Sequence, residues 1–172
     1  FKEIGNEEVL QYLDQNFQEL AAQCNDEGVD KMAFEKRMAG YAAMKEGEVA
    51  PNIAFEGLKL KVKNLYEIEA RQVLVVFWAS WCPHCMEDMP KINTWALANP
   101  TTKVVAISLD DDKAAYEEAI KEFPILDHHT DLKKWEGKAV KDYYVYGTPT
   151  FILLDSEKKI IRKTASLDSL LK

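Results

Sequence analysis

The sequence has few cysteines, no excess of positive charge and no long hydrophobic run. Three cysteines in 172 residues are too few for a fold held by disulfides, so a hydrophobic core must stabilise it. Lys and Arg number 22 against 29 Asp and Glu, which gives a formal net charge of -7 and disfavours binding to nucleic acid phosphates. No apolar run approaches the roughly 20 residues that cross a bilayer, so no membrane span is expected.

The first residues of the sequence are not expected to be a signal peptide. FKEIGNEEVL is acidic and amphipathic, whereas a signal peptide has a basic start followed by an unbroken apolar stretch. The first residue is not Met, and we therefore expect the chain to be a piece of a longer precursor. With 47% hydrophobic and 30% charged residues, the composition is typical of a globular domain with its own core.

Two regions differ in their hydrophobic pattern. Between Glu7 and Cys24 apolar residues recur at steps of three and four, and a second helical pattern ends before Gly47. Short alternating segments follow, as around Leu58 and Leu60. We predict a helical N-terminal extension over residues 1–48 and a second domain over residues 49–172. Cys24 lies on the apolar stripe and is expected to be a buried hydrophobe.

The second region alternates strand and helix patterns. The run VLVVFWA is continuously apolar and rich in β-branched residues, as in a strand buried on both faces. The predicted elements, in order, are a strand at 73–79, a helix from about Pro83 to the Trp95 region, a strand at 104–109, a helix at 113–122, and two strands at 150–154 and 160–163. This order predicts an α/β fold with a central mixed sheet flanked by helices and ending in an antiparallel hairpin.

The motif WCPHC, at residues 81–85, directly follows the first strand. Cysteines at i and i+3 on the first turn of a helix can approach closely enough to form a disulfide and open again. Cys82 would lie at the helix N-terminus, where unpaired N–H groups stabilise a thiolate, and is predicted to attack. Pro83 suits the first helical turn, His84 could supply a proton or positive charge, and Cys85 would be the resolving thiol.

Other uses of the motif remain open from these residues. Zinc normally needs four ligands, and the remaining candidates are Cys24 and the pair His128 and His129. Copper(I) also suits thiolates, so a copper or zinc module is an alternative. A peroxidase with one reactive cysteine and a peptide-binding domain without redox activity are further alternatives.

Three motifs together resemble a known family. VLVVFWASWCPHC, the helix MEDMPKI with Pro90 five residues after Cys85, and YGTPTFILLD resemble the thioredoxin fold. The segment EVAPNIAF makes the sequence most similar to the TlpA-like and ResA-like thiol-disulfide oxidoreductases of bacterial envelopes. The resemblance covers about residues 49–172 and excludes the helical extension.

The resemblance implies roles for residues that form the substrate site. It implies that the bond preceding Pro149 is cis and that Pro149 lies against the dithiol. The backbone of Thr148 would then be available to pair with a substrate segment, as an added strand does. Trp81 would cover the attacking sulfur as an apolar lid, and Pro83 and His84 are also expected to belong to the substrate-binding residues.

The resemblance also bears on proton transfer. Many thioredoxins bury an aspartate in the strand before the motif, but here that position is Val76. The envelope group often has an acid three residues after the second cysteine. Asp88 occupies that position, and we predict that it exchanges a proton with Cys85, one helical turn away.

The activity implied by the resemblance is that of an enzyme, a thiol-disulfide oxidoreductase acting on protein substrates with thiols or disulfides. An upstream electron donor would recycle the dithiol, which is itself the redox group, so neither an organic cofactor nor a metal is implied. The resemblance implies a reductase located in the periplasm or cell envelope. The Pro-His dipeptide instead resembles DsbA-like proteins, so a disulfide donor is an alternative.

Two further features receive no functional role. The run Asp110-Asp111-Asp112 is predicted to be a solvated helix start. His128 and His129 are predicted to lie in a charged loop.

Overall fold

The computed structural model describes residues 42–55 and 62–170, together with the isolated positions 16, 36, 39 and 40. The chain divides into two compact units, and the second, Met44–Lys172, contains every strand of the sheet. Most of the predicted helical extension, and the alternating segment around Leu58 and Leu60, lie outside the described residues. The extension therefore stays a prediction.

Five strands form one mixed sheet in the order β3-β2-β1-β4-β5. The strands are β1 (Gln72–Trp78), β2 (Thr102–Ser108), β3 (Asp127–Thr130), β4 (Thr150–Asp155) and β5 (Ile160–Thr164). β1, β2 and β3 are parallel to one another, whereas β4 is antiparallel to both β1 and β5. This arrangement confirms the predicted α/β fold with a central mixed sheet.

The described helices are connected to the sheet in the predicted order. They are α1 (Pro83–Ala98), α2 (Lys113–Ala119), α3 (Lys138–Asp142) and α4 (Leu167–Leu170), with short 3-10 turns at Leu65–Glu67, Ile120–Glu122 and Lys134–Glu136. The predicted helix over 113–122 is thus an α-helix completed by a 3-10 turn. The short helix α3 was not predicted, because five residues are too few to show helical periodicity.

The central strand β1 carries the site and is buried along almost its whole length. Six consecutive residues from Val73 to Trp78 have no exposed surface. β1 pairs with β2 on one side and with β4 on the other, and a continuous apolar sequence is what such a strand requires. Helix α1 follows after four residues and buries Cys85, Met89 and Ile92, spaced four and three residues apart on one face.

The prediction of a charged loop at His128 and His129 is wrong. Both residues belong to β3, where they pair with Ala106 and Ile107 of β2. A nitrogen of the His128 ring lies 2.8 Å from the Phe123 carbonyl oxygen, and the buried His129 ring packs edge-on against another aromatic ring. A four-residue polar edge strand has neither the alternation nor the β-branched run by which strands are recognised, and its pairing is supplied by β2.

Residues just before the predicted domain boundary already belong to the second unit. The Gly47 amide donates to the Ile160 carbonyl at 2.8 Å, and the Ile160 amide donates to the Glu48 carbonyl at 2.9 Å. The segment therefore lies along the edge of the hairpin formed by β4 and β5.

Candidate dithiol active site

Cys82 connects the end of β1 to the start of α1. Its amide donates to the Ala79 carbonyl at 3.2 Å, which closes a turn over residues 79–82. Cys82 is the N-cap of α1, and its sulfur accepts a hydrogen bond from the Cys85 amide at 3.3 Å. An N–H group directed at the sulfur stabilises negative charge on it. Pro83 occupies the first turn of the helix, as predicted.

The two cysteines of the motif are free thiols with unequal access to solvent. Cys82 retains 6% of its surface, whereas Cys85 has none. Burial, followed by the hydrogen bond with Cys82, raises the pKa of Cys85 from 9.0 to about 12. Cys85 is therefore a protonated thiol near neutral pH and has to lose a proton before it can attack.

The segment before β4 lies against the attacking sulfur. The Cys82 thiol donates to the Thr148 carbonyl oxygen at 3.4 Å, across 66 residues of sequence. The Thr148–Pro149 peptide bond is cis, the isomer that the family resemblance implied. Pro149 is buried and Thr148 is partly exposed, so backbone of this segment lies at the surface beside Cys82.

Trp81, the residue before Cys82, packs against a second exposed indole ring. Trp81 is 45% exposed and Trp135 is 38% exposed, and their ring centroids are 6.4 Å apart. The Lys134 amine lies 5.5 Å from the Trp81 ring centroid and forms an ion pair with Asp111 at 2.9 Å. Trp81 is therefore part of an exposed aromatic pair, and its role as a lid over the Cys82 sulfur stays a prediction. Trp135 was not connected to the site from the sequence, because no local pattern brings it next to Trp81.

His84 and Asp88 both contact charged partners on α1. The His84 side chain is 84% exposed, and its Nδ1 atom lies 3.9 Å from the Glu87 carboxylate. Asp88 is less exposed, at 20%, and accepts a hydrogen bond from the Lys91 amine at 2.8 Å. The roles of His84 and Asp88 in proton transfer thus remain predictions.

Asp110 is a buried residue next to the motif that sequence reasoning missed. It is 1% exposed, and its carboxylate accepts hydrogen bonds from Ser80, two residues before Cys82, and from Ser108. The prediction of a solvated helix start is therefore wrong for Asp110. It holds for Asp112, which caps α2 by accepting from the Ala114 and Ala115 amides.

The thioredoxin-like family model matches residues 70–160 of this chain. The matched region contains the dithiol, the helix that begins there and the cis proline. This chain belongs to the thioredoxin-like family. The matched region of this thioredoxin-like chain spans β1 to the start of β5 and includes the whole motif. The predicted family and fold are confirmed.

Named relatives of this thioredoxin-like chain share one description. It is 27% identical over 122 residues to thiol-disulfide oxidoreductase ResA of Bacillus thuringiensis subsp. konkukian, covering 70% of this chain and 69% of that protein. It is 30% identical over 118 residues to sporulation thiol-disulfide oxidoreductase A of Bacillus subtilis, covering 63% and 65%. A solved thiol-disulfide oxidoreductase from Bacteroides fragilis superposes with a TM-score of 0.59 at 29% identity, covering 72% of this chain and 97% of that one.

The described residues bear on two expectations from the sequence, metal binding and membrane insertion. In the part of the chain that the structure describes, no three or more His, Cys, Asp or Glu side chains are grouped to hold a metal ion. Within the same residues, no helix is both long and apolar enough to span a membrane.

Proposed function

We propose that this thioredoxin-like chain is a thiol-disulfide oxidoreductase that reduces disulfides in protein substrates of the cell envelope. The observation that carries the proposal is the pairing, inside one helical turn, of a thiol that keeps a little exposed surface with a thiol that has none. Cys82 caps α1 and accepts a hydrogen bond from the Cys85 amide, and Cys85 itself is fully buried. The activity is the one that the names of its relatives carry.

The reaction proceeds in two exchange steps. The Cys82 thiolate attacks one sulfur of a substrate disulfide, the bond between the two substrate sulfurs breaks, and the released substrate sulfur takes a proton. Cys85 then loses its proton and attacks Cys82, which releases the second substrate thiol and leaves a Cys82–Cys85 disulfide. Two electrons have passed to the substrate. An upstream dithiol donor then supplies two electrons that reduce the Cys82–Cys85 disulfide again.

The surroundings of Cys82 suit a polypeptide substrate. The Thr148 carbonyl oxygen already contacts the Cys82 thiol, so a substrate segment pairing with this backbone would bring its own sulfur to Cys82. The exposed rings of Trp81 and Trp135 offer apolar contact to side chains next to the substrate cysteine. Both features support Trp81, Thr148 and Pro149 as substrate-binding residues.

The decisive experiment is to measure the reduction potential of the Cys82–Cys85 pair in glutathione buffers by trapping the free thiols. A potential near the roughly -270 mV of thioredoxin would support the reductase. A potential near the roughly -120 mV of DsbA would replace it by the alternative, a disulfide donor in which the Pro-His dipeptide dominates. If no Cys82–Cys85 disulfide forms, the oxidoreductase proposal fails.

A further inference from the structure

Three consecutive aspartates at the end of β2 have three different environments. Asp112 caps α2, and Asp111 is exposed and paired with Lys134. Asp110 is almost completely buried, and within the described residues its carboxylate bonds to serine groups and not to a cation. A buried carboxylate is costly unless hydrogen bonds satisfy it, so the groups that bond to Asp110 are important for its role.

The hydrogen bonds of Asp110 are directed at the segment that leads into the motif. Both carboxylate oxygens lie 3.2 Å from the Ser80 amide, and Oδ1 also accepts from the Ser80 hydroxyl at 2.6 Å. On its other side, Oδ2 accepts from the Ser108 hydroxyl at 2.5 Å, and that hydroxyl in turn accepts from the Asp110 amide at 2.9 Å. Asp110 thus connects the end of β2 to Ser80 through the backbone and through the side chain.

Ser80 is a central residue of the turn that contacts both thiols. The turn is closed by the hydrogen bond from the Cys82 amide to the Ala79 carbonyl. The Ala79 backbone also hydrogen-bonds the Cys85 thiol and thereby acts to lower its pKa. Any shift of Ser80 would therefore move the attachment of Cys82 and a group that contacts Cys85.

We propose that Asp110 is a positioning residue for the exchange reaction, holding the turn over residues 79–82 so that the Cys82 and Cys85 sulfurs stay within bonding reach. The inference rests on the proposed function, since it concerns the step in which Cys85 attacks Cys82 and the substrate thiol leaves. Asp110 acts through Ser80 and not on either sulfur. Disulfide formation tolerates only a narrow range of separations, and misplacement of reacting groups by about 1 Å can slow a reaction about 100-fold.

The test measures the effective concentration of the two thiols, obtained from the equilibrium of the Cys82–Cys85 disulfide with reduced and oxidised glutathione. Asp110→Ala removes every acceptor for Ser80 and is expected to lower the effective concentration about tenfold or more. Asp110→Asn keeps an amide oxygen that can accept from Ser80 and is expected to stay within about threefold of the wild type. This rescue separates positioning from a requirement for charge.

Asp112→Ala is the matched control. Asp112 lies two residues after Asp110 and accepts hydrogen bonds from two backbone N–H groups of α2. Its replacement removes a capping carboxylate without removing a hydrogen bond to the turn over residues 79–82. We expect it to lower thermal stability and leave the effective concentration unchanged. An Asp110→Ala protein with a native circular dichroism spectrum and the effective concentration of Asp112→Ala would overturn the inference while the oxidoreductase proposal stands.

Two further outcomes concern a variant that does not fold and a wild type that forms no disulfide. If Asp110→Ala does not fold, Ser80→Ala replaces it, because this change removes only the 2.6 Å contact with Asp110. It is expected to lower the effective concentration about threefold, and an unchanged value would overturn the inference. A wild-type protein that forms no Cys82–Cys85 disulfide would overturn both the inference and the proposed function.

Discussion

Two thiols three residues apart in the same helical turn have opposite surroundings. Cys82 keeps some accessible surface and accepts an N–H group, whereas Cys85 is enclosed and its pKa is raised to about 12. A dithiol needs this asymmetry, because one sulfur must meet the substrate while the other stays protonated until a mixed disulfide has formed.

Reduced protein treated with iodoacetamide near neutral pH should be alkylated at Cys82 and not at Cys85. The reason is that alkylation requires an accessible thiolate. Cys85 is fully buried, and burial raises its pKa, so it is neither accessible nor ionised. Peptide mass spectrometry would locate the label. A Cys82→Ser variant serves as the control, and its Cys85 peptide should remain unlabelled under the same conditions. Equal labelling of both cysteines in the native protein would contradict the assignment of roles.

Asp88→Ala should slow disulfide reduction about tenfold or more while leaving the fold intact, since a positioned carboxylate would no longer accept the Cys85 proton. Stopped-flow kinetics over a pH series would measure the effect. Glu87→Ala is the matched control, because it removes an exposed carboxylate from the same helical turn and should not change the rate. Rates that match the wild type at every pH would eliminate the role of Asp88.

The helices and loops around the sheet are held by a few long-range hydrogen bonds to the segment at residues 49–55. Tyr143, at the end of α3, is fully buried and donates to the Pro51 carbonyl at 2.6 Å, 92 residues away. Its ring also packs against Phe77 of β1, with centroids 5.4 Å apart. One residue thus connects the segment, helix α3 and the central strand that leads to the dithiol.

Tyr143→Phe should lower the free energy of unfolding by about 1 to 2 kcal/mol, because the Pro51 carbonyl loses its donor inside the core. Urea denaturation would measure the difference. Tyr66→Phe is a close control, since Tyr66 donates to the neighbouring Ala50 carbonyl at 2.7 Å but is 47% exposed. The donor of that bond is on a half-exposed side chain, so the control should lose less stability; equal losses would argue against burial of the donor as the cause.

Four buried ionisable groups make the stability of the domain sensitive to alkaline pH. Burial raises the pKa of Cys85 from 9.0 to about 12, that of Tyr116 from 10.0 to about 12, and that of Tyr143 further above its ordinary value. Burial lowers the pKa of Lys163 from 10.5 to about 8 while its amine donates to the Tyr143 carbonyl at 2.9 Å. These shifts act on stability in opposite directions.

The free energy of unfolding should rise slightly between pH 8 and 9 and fall at higher pH. Between its folded and unfolded pKa values, Lys163 binds more protons when unfolded, so stability increases with pH. Above pH 9, Cys85 and the two tyrosines lose protons in the unfolded chain but retain them in the folded protein. Stability therefore decreases. Urea titrations under reducing conditions would measure the profile.

Lys163→Met separates the two contributions to this profile. It should abolish the rise, because the lysine is the group whose pKa is lowered by burial, and preserve the fall caused by the cysteine and tyrosines. A stability that keeps increasing above pH 10 in the wild type would show that the buried thiol and phenols do not control the alkaline limb.

Local patterns were sufficient to predict the sheet and the dithiol. A continuous apolar run is recognisable as a buried strand without knowledge of its neighbours, and cysteines at i and i+3 share a turn wherever the chain is helical. The polar strand β3 could not be predicted in this way, because its pairing with β2 and not its own composition makes it a strand. The same holds for the burial of His129.

The fold class, the family and the identity of both thiols are encoded in short stretches of sequence, since each depends on residues within a few positions of one another. The tertiary structure alone decides which distant side chains surround the dithiol. Asp110 reaches Ser80 across 30 residues, and Trp135 meets Trp81 across an even longer stretch. Residues that far apart meet only because parallel strands bring their carboxyl ends to one edge of the sheet, and no local pattern records that meeting.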